Sequence, residues 1–226
     1  MRSTSFCSHR VSIITGHYGT GKTEFAVNLA LAMAAEGQRV MVADLDIVNP
    51  YFRSRERRDT LAQAGVQLIS SSQACADADV PSLPAELLTI FENRDLRGIL
   101  DIGGDPVGAR VLARFRPKIL AEDYQLIYVL NAHRPEVREA ENAIAYLRGI
   151  EAATGLPCTG IVNNTHLCGE TTAADIRKGA VLSAEVSRQT GIPVLCHVAV
   201  ERLANQLSDL PETVFPITIQ MKKPWE

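Results

Sequence analysis

Residues 10–37 read RVSIITGHYGTGKTEFAVNLALAMAAEG. Arg10 to Thr15 is a run of mostly β-branched and apolar residues, the composition of a strand. Lys22 to Glu36 is apolar on nearly every face and stops at Gly37, which reads as a buried helix closed by a glycine. Between them, Gly16-His17-Tyr18-Gly19-Thr20-Gly21-Lys22-Thr23 fits the pattern G-x-x-x-x-G-K-[ST]. Strand, glycine-rich loop and helix in this order make a cradle for phosphate. The glycines let successive N–H groups turn inward, and the start of the helix adds partial positive charge. Gly16 to Thr23 and the adjoining Glu24 are expected to bind the nucleotide, with Lys22 at the β and γ phosphates and Thr23 at Mg2+.

Outward from this unit, strand-like and helix-like runs alternate. Strands are expected at Arg39–Ala43, Val66–Ile69, Gly98–Ile102, Leu126–Leu130, Cys158–Val162, Val194–Val198 and Val214–Gln220. Helices are expected at Tyr51–Ala64, Ala85–Asn93, Val107–Phe115 (stopping before Pro117), Pro135–Ala153, Thr172–Thr190 and Glu201–Leu207. Ser70 to Pro84, rich in Ser, Ala, Asp and Pro, reads as the longest irregular segment. Such alternation predicts an α/β fold: one three-layer domain over residues 1–226, with a mostly parallel sheet of about seven or eight strands and helices on both faces. Ligands of such sheets sit beyond the carboxyl ends of the strands, so the chemistry belongs in the loops that follow them.

Composition narrows the function classes. The 226 residues are 46% apolar and 22% charged, with a formal net charge of −3. That balance excludes intrinsic disorder and argues against a nucleic-acid partner, since no basic excess is available for phosphate backbones. The most apolar stretch, Glu24 to Ala35, is far short of the roughly 20 residues a membrane span needs. The opening MRSTSFCSHR has no apolar core, so no secretory leader is expected. Cys7, Cys75, Cys158, Cys168 and Cys196 are scattered with no C-x-x-C pair, which reads as thiols of a reducing cytoplasm.

Two further loops carry carboxylates. The second strand runs into Asp44-Leu45-Asp46-Ile47-Val48-Asn49-Pro50, and alternation sends Asp44 and Asp46 off the same face. They are expected beside the phosphates, where Mg2+ or an attacking water sits. A capping role for these aspartates at the next helix is the plain alternative. Gly98 to Pro106 is an apolar strand ending in Asp101 and followed by Gly103-Gly104. A carboxylate there can hold the outer shell of Mg2+, and the glycine pair can move when a γ-phosphate arrives.

Together these stretches resemble the CobQ/CobB/MinD/ParA nucleotide-binding family, the deviant Walker-type P-loop ATPases of the SIMIBI class. The resemblance runs from about Val11 to Val200; DLDIVNPYFRSR (Asp44–Arg55) and DIGGDPVGAR (Asp101–Arg110) look like one branch of it known only for ATP binding. It implies roles by position. Asp46 would orient the attacking water, Asp44 would lie close to Mg2+, Asp101 would be the Walker B carboxylate and Gly104 the switch-two glycine. Asn163 and Asn164, after the sixth strand, fall where the family reads adenine. The N-K-x-D pattern of a guanine reader is absent, which favours ATP over GTP.

One position departs from the family. Its signature lysine, just after the first loop glycine, reaches a dimer partner's phosphates; here that place holds His17, shorter and mostly neutral at pH 7. Arg53 and Arg55 are then the nearest candidate cations for a weak or nucleotide-modulated homodimer. They belong to two basic groups, Arg53, Arg55, Arg57 and Arg58, and Arg110, Arg114, Arg116 and Lys118. These are either solvated helix faces or a surface for a partner protein or an anionic substrate. Three functions remain open: a switch-type ATPase acting on a partner or on cofactor assembly, an ATP-dependent carboxylate-activating synthetase of the cobyrinate diamide or dethiobiotin kind, and a nucleotide-binding module with little hydrolysis.

Overall fold

Strands β1 (Val11–Thr15), β2 (Val40–Leu45), β3 (Gln67–Ser70), β4 (Arg97–Ile102), β5 (Tyr124–Leu130), β6 (Gly160–Asn163), β7 (Val194–Val200) and β8 (Thr213–Ile217) form one sheet in the order β3-β2-β4-β1-β5-β6-β7-β8. Every pairing is parallel. The computed structural model describes residues 3–46, 57–70, 85–105 and 109–221. Chain connections leave β1 toward β2 on one side, and later strands build out from β5 on the other, so the order reverses around β1. The crevice for a ligand therefore opens at the end of β1, where the glycine-rich loop begins.

Alternation along the strands divides the core into two layers. Ile14, Val40, Val42 and Ile99 face α1 (Lys22–Ala35) and pack with its Phe25, Val27, Leu29 and Met33. On the opposite face, Ile13, Leu45, Leu100 and Leu130 pack with Ala143, Leu147 and Ile150 of α5 (Ala140–Thr154) and with Leu182 and Val186 of α6 (Ala173–Thr190). Phe215 packs edge-on against both Phe6 and Phe25, which ties the N-terminal segment and β8 to α1. Because α1 is covered on nearly all sides, its apolar residues need no amphipathic stripe.

Helix ends follow local chemistry. Gly37 (φ +82°) closes α1, with the Gln38 amide donating back to the Met33 carbonyl at 3.1 Å. Thr172 caps α6 in a reciprocal box with Asp175. Elsewhere the helices are shorter than the sequence suggests. Ala85–Asn93 resolves into a 3-10 turn, Ala85–Leu87, and α3 (Leu88–Glu92). Pro135–Ala153 resolves into a 3-10 turn, Pro135–Val137, followed by α5. The short α7 (Glu201–Ala204) precedes β8. Of the helix expected over Tyr51–Ala64, α2 (Arg58–Gln63) is seen, and its start lies outside the described residues, as does most of the irregular segment from Ser70 to Pro84.

Two boundaries are corrected. Pro117 does not end a helix: Arg110–Phe115 is 3-10, and α4 (Arg116–Leu120) starts with the proline in its first turn. That position needs no N–H donor, so proline opens the helix. In this 3-10 geometry side chains eclipse at i, i+3, so Arg110 and Arg114, four positions apart, do not share a face. β8 ends at Ile217 instead of Gln220. Beyond it, the Thr218 amide donates to Asn28 Oδ1 at 3.1 Å, and the Gln220 and Met221 amides donate to the Glu24 carboxylate at 2.8 and 2.9 Å.

Candidate nucleotide site

The loop from Gly16 to Thr23 joins β1 to α1 as expected. Gly16, Gly19 and Gly21 all have positive φ (146°, 75° and 80°), and Gly21 caps α1 with no side-chain acceptor. The amides of Gly19, Gly21 and Lys22 have no backbone acceptor among the described residues. Donors left open at a helix start are what a phosphate requires. Thr20 is buried and spends its hydroxyl inside the loop, on the His17 carbonyl at 2.9 Å. The Tyr18 side chain is exposed.

Lys22 is buried, with Nζ 3.5 Å from the His17 carbonyl oxygen. Burial lowers its pKa, while the charges of Asp101, Asp46 and Asp105 favour its cation. These carboxylates come from two strands. Asp44 stands opposite Asp101 in the β2–β4 register, and both continue the α1-facing rows, Val40-Val42-Asp44 and Ile99-Asp101. Asp101 Oδ2 accepts the Thr23 hydroxyl at 2.7 Å. Its other oxygen is buried without a hydrogen-bond partner among the described residues. Burial, followed by repulsion from Asp44, raises the Asp101 carboxyl to about 7, against relief from Thr23 and Lys22. The Asp46 amide donates to Asp44 Oδ1 at 3.3 Å, and Asp46 is itself buried. Thr23, Asp44, Asp46 and Asp101 are thus brought together around Lys22.

Gly104 closes the pocket from the β4 side. A Cβ there would fall 2.3 Å from the Gly16 carbonyl oxygen and 2.8 Å from Lys22 Nζ. The segment after β4 lies directly on the loop, which only glycine permits. The Gly104 carbonyl accepts the Tyr146 hydroxyl of α5. Tyr146 also packs edge-on against His17, at a centroid distance of 4.9 Å. His17 Nδ1 lies 3.0 Å from the Tyr18 carbonyl and 3.9 Å from the Glu136 carboxylate.

Several expected residues serve the frame of the site. Asn163 is wholly buried; its Nδ2 donates to the Ile176 carbonyl at 2.9 Å and meets His197 Nδ1 at 3.0 Å, while Oδ1 accepts the Thr165 amide at 3.1 Å. Asn164 donates to the Thr20 and Gly21 carbonyls at 2.8 and 3.3 Å, bracing the loop from the β6 side. Glu24 holds the segment after β8, with Asn28 as a third partner at 2.8 Å. Arg53 and Arg55 lie outside the described residues. Arg110, Arg114, Arg116 and Lys118 are exposed.

The sequence reading missed Arg134, Tyr146 and His166. Arg134 Nε donates to the Gly19 carbonyl at 2.7 Å. His166 Nε2 lies against Gly21, 3.0 Å from where a Cβ would be. The available signal was position: Arg134 and His166 fall in the loops after β5 and β6, at the same sheet end as the glycine-rich loop. Tyr146, in mid-helix, gave none.

A metal fits this pocket. A hydroxyl beside a carboxylate with an open buried oxygen suits Mg2+, which binds through one or two protein oxygens plus phosphates and water. No group of three or more His, Cys, Asp or Glu that could hold a metal occurs among the described residues, and Mg2+ with a nucleotide needs none. Cys7, Cys158 and Cys196 are buried and Cys168 is exposed. Burial pushes the Cys7 and Cys158 thiols up to about 12. No helix among the described residues is long and apolar enough to cross a membrane.

Comparison with known proteins agrees with this geometry. The family model for the CobQ/CobB/MinD/ParA nucleotide binding domain matches residues 11–205. A stretch of 40 residues is 52% identical to the iron-sulfur cluster carrier protein of Salmonella typhimurium and covers 18% of this chain and 11% of that one. The Escherichia coli carrier is 50% identical over the same length. Among solved structures, chloroplast FtsY from Physcomitrella patens superposes with a TM-score of 0.56 at 21% identity, over 86% of this chain and 59% of that one. The signal recognition particle receptor FtsY from Elizabethkingia anophelis, in complex with GDP, gives 0.52 at 18% identity, over 83% and 56%. At such identities the likeness is one of fold. This chain spans little more than half of the FtsY chains, and its match to the carriers about a tenth of their length.

Proposed function

Because the chain belongs to the CobQ/CobB/MinD/ParA nucleotide-binding family, we propose that it is a magnesium-dependent ATPase acting as a nucleotide switch, on a partner protein or a second copy, in a task such as cofactor assembly. The observation that carries this reading is the convergence of Lys22, Thr23, Asp101 and Gly104 at the ends of β1 and β4. The open amides of the loop and the start of α1 would bind the phosphates. Lys22, already poised among carboxylates, would exchange part of that pairing for the β and γ oxygens. Thr23 and Asp101 would hold Mg2+ near Asp44, and the ion would neutralise charge on the phosphates. Asp46 would accept a hydrogen bond from the attacking water and orient it.

Gly104 gives the switch its physical basis. It touches both the Gly16 carbonyl and Lys22 Nζ, so a γ-phosphate drawing on Lys22 changes the contact that holds this segment. Tyr146 would pass that change to α5 through the Gly104 carbonyl. The short likeness to iron-sulfur cluster carriers supports assembly work over small-molecule synthesis.

Titration calorimetry of the purified chain with ATP and with GTP, with Mg2+ or EDTA, tests the reading. ATP binding that needs Mg2+ and is lost in Lys22→Ala is expected. Equal affinity in the variant would remove the site, and preference for GTP would overturn the base. Turnover that depends on one small carboxylic acid would replace the switch by a synthetase.

A further inference from the structure

Arg134 ends the loop after β5, the strand paired with β1 on the side away from β4. Its backbone is held in place: the amide donates to the Asn131 carbonyl at 3.0 Å, and Pro135 starts the next turn. The side chain reaches 115 residues back along the chain to donate from Nε to the Gly19 carbonyl at 2.7 Å. A Cβ on Gly19 would fall 2.6 Å from Cζ, 2.8 Å from Nε and 2.9 Å from Nη2. The contact therefore depends on glycine at the middle of the loop. Nε is the one guanidinium nitrogen so used; Nη1 and Nη2 have no acceptor among the described residues, and Arg134 makes no ion pair among them.

Charge in the pocket gives this a purpose. Lys22 is surrounded by Asp46, Asp101 and Asp105, with Asp44 beside Asp101. One lysine among four carboxylates is a poor host for a polyphosphate on its own. The His17 ring is packed on Tyr146, with its Nδ1 turned to the Tyr18 carbonyl. Arg134 is the cation at the loop that no carboxylate among the described residues neutralises. A guanidinium anchored by Nε still offers two parallel N–H groups, which match two oxygens of one phosphate. Burial lowers the pKa of the His166 ring beside the loop, and the Arg134 charge adds to that lowering.

We propose that Arg134 is a phosphate ligand of the nucleotide site, anchored on the Gly19 carbonyl and presenting Nη1 and Nη2 to the β-phosphate and beyond. This rests on the nucleotide reading above. The test is calorimetry of the full chain with Mg2+ and adenosine mono-, di- and triphosphate, for wild type, Arg134→Gln and Arg134→Lys, with a thermal melt of each. Loss of a charge-assisted hydrogen bond should weaken di- and triphosphate binding roughly 10- to 100-fold in Arg134→Gln. Monophosphate binding should change by less than about twofold, and Arg134→Lys should recover part of the loss as a point charge. Unchanged triphosphate affinity in Arg134→Gln would overturn the proposal. So would an equal loss for all three nucleotides with a lowered melting temperature, which would make Arg134 a brace of the loop. If wild type binds none of the three, the nucleotide reading fails first and takes the proposal with it.

Discussion

Gly104→Ala puts the contact between the phosphate loop and the segment after β4 to a direct test. The added methyl would lie 2.3 Å from the Gly16 carbonyl oxygen, 2.8 Å from Lys22 Nζ and 3.2 Å from the His17 carbonyl carbon. A relaxed carbon–oxygen contact is about 3.3 Å or more, so the shortfall against Gly16 is about 1 Å. Lysine Nζ can swing aside; a backbone carbonyl at the start of the loop cannot. The segment must move, and the Tyr146 bond to the Gly104 carbonyl goes with it. Overpacking and the lost hydrogen bond together cost about 2–4 kcal/mol. For a chain of this size that lowers Tm by roughly 4–16 °C. Displacement of catalytic parts by ~1 Å costs on the order of 100-fold in turnover.

The control is Gly37→Ala. Gly37 also has a positive φ, 82°, yet nothing lies within 4 Å of a Cβ there. Its cost is backbone strain alone, about 1–2 kcal/mol, with turnover unchanged. Differential scanning fluorimetry and a phosphate-release assay on both variants give the comparison. If Gly104→Ala keeps wild-type turnover while Gly37→Ala shows the larger loss of stability, the close approach at Gly104 has no part in the mechanism.

Two further outcomes are expected. Asp46→Ala should keep nucleotide affinity in calorimetry and lose turnover by roughly 100-fold or more, as for a group that positions water; unchanged turnover rejects the role. Acid should destabilise the protein through His166, whose folded pKa is pulled from near 6.5 to about 4 by burial, then by Arg134 and His133. The unfolded chain binds the extra proton between those values, so stability falls as pH drops from about 6.5 to about 4, by about 1–3 kcal/mol. In urea melts across that range His166→Gln should flatten the slope, and an unaltered slope would assign it to other groups.

Much of the site was legible because it is local. Strand, loop and helix around Gly16–Thr23 are contiguous, and the motif's chemistry depends on neighbours within eight positions. The placement of Asp44, Asp46 and Asp101 follows from two-residue alternation at strand ends. The asparagines show the opposite case. Asn163 and Asn164 stand where a base reader is expected, yet their amides serve α6, β7 and the phosphate loop. Sequence gives an amide's position but not which partner reaches it first.

The alternating pattern by itself determined a parallel α/β sheet, since each strand must return through a helix to lie beside the next. It also placed the glycine-rich loop and the carboxylates Asp44, Asp46 and Asp101 at one end of that sheet. Only the tertiary structure decided the strand order, and with it which loops meet. With β1 between β4 and β5, Gly104 comes onto Gly16 from one side and Arg134 onto Gly19 from the other. Hydrophobic periodicity records which face of a strand is buried and not which strand lies next to it. Contacts between such distant stretches of the chain are therefore set by the packing of layers, which no local pattern encodes.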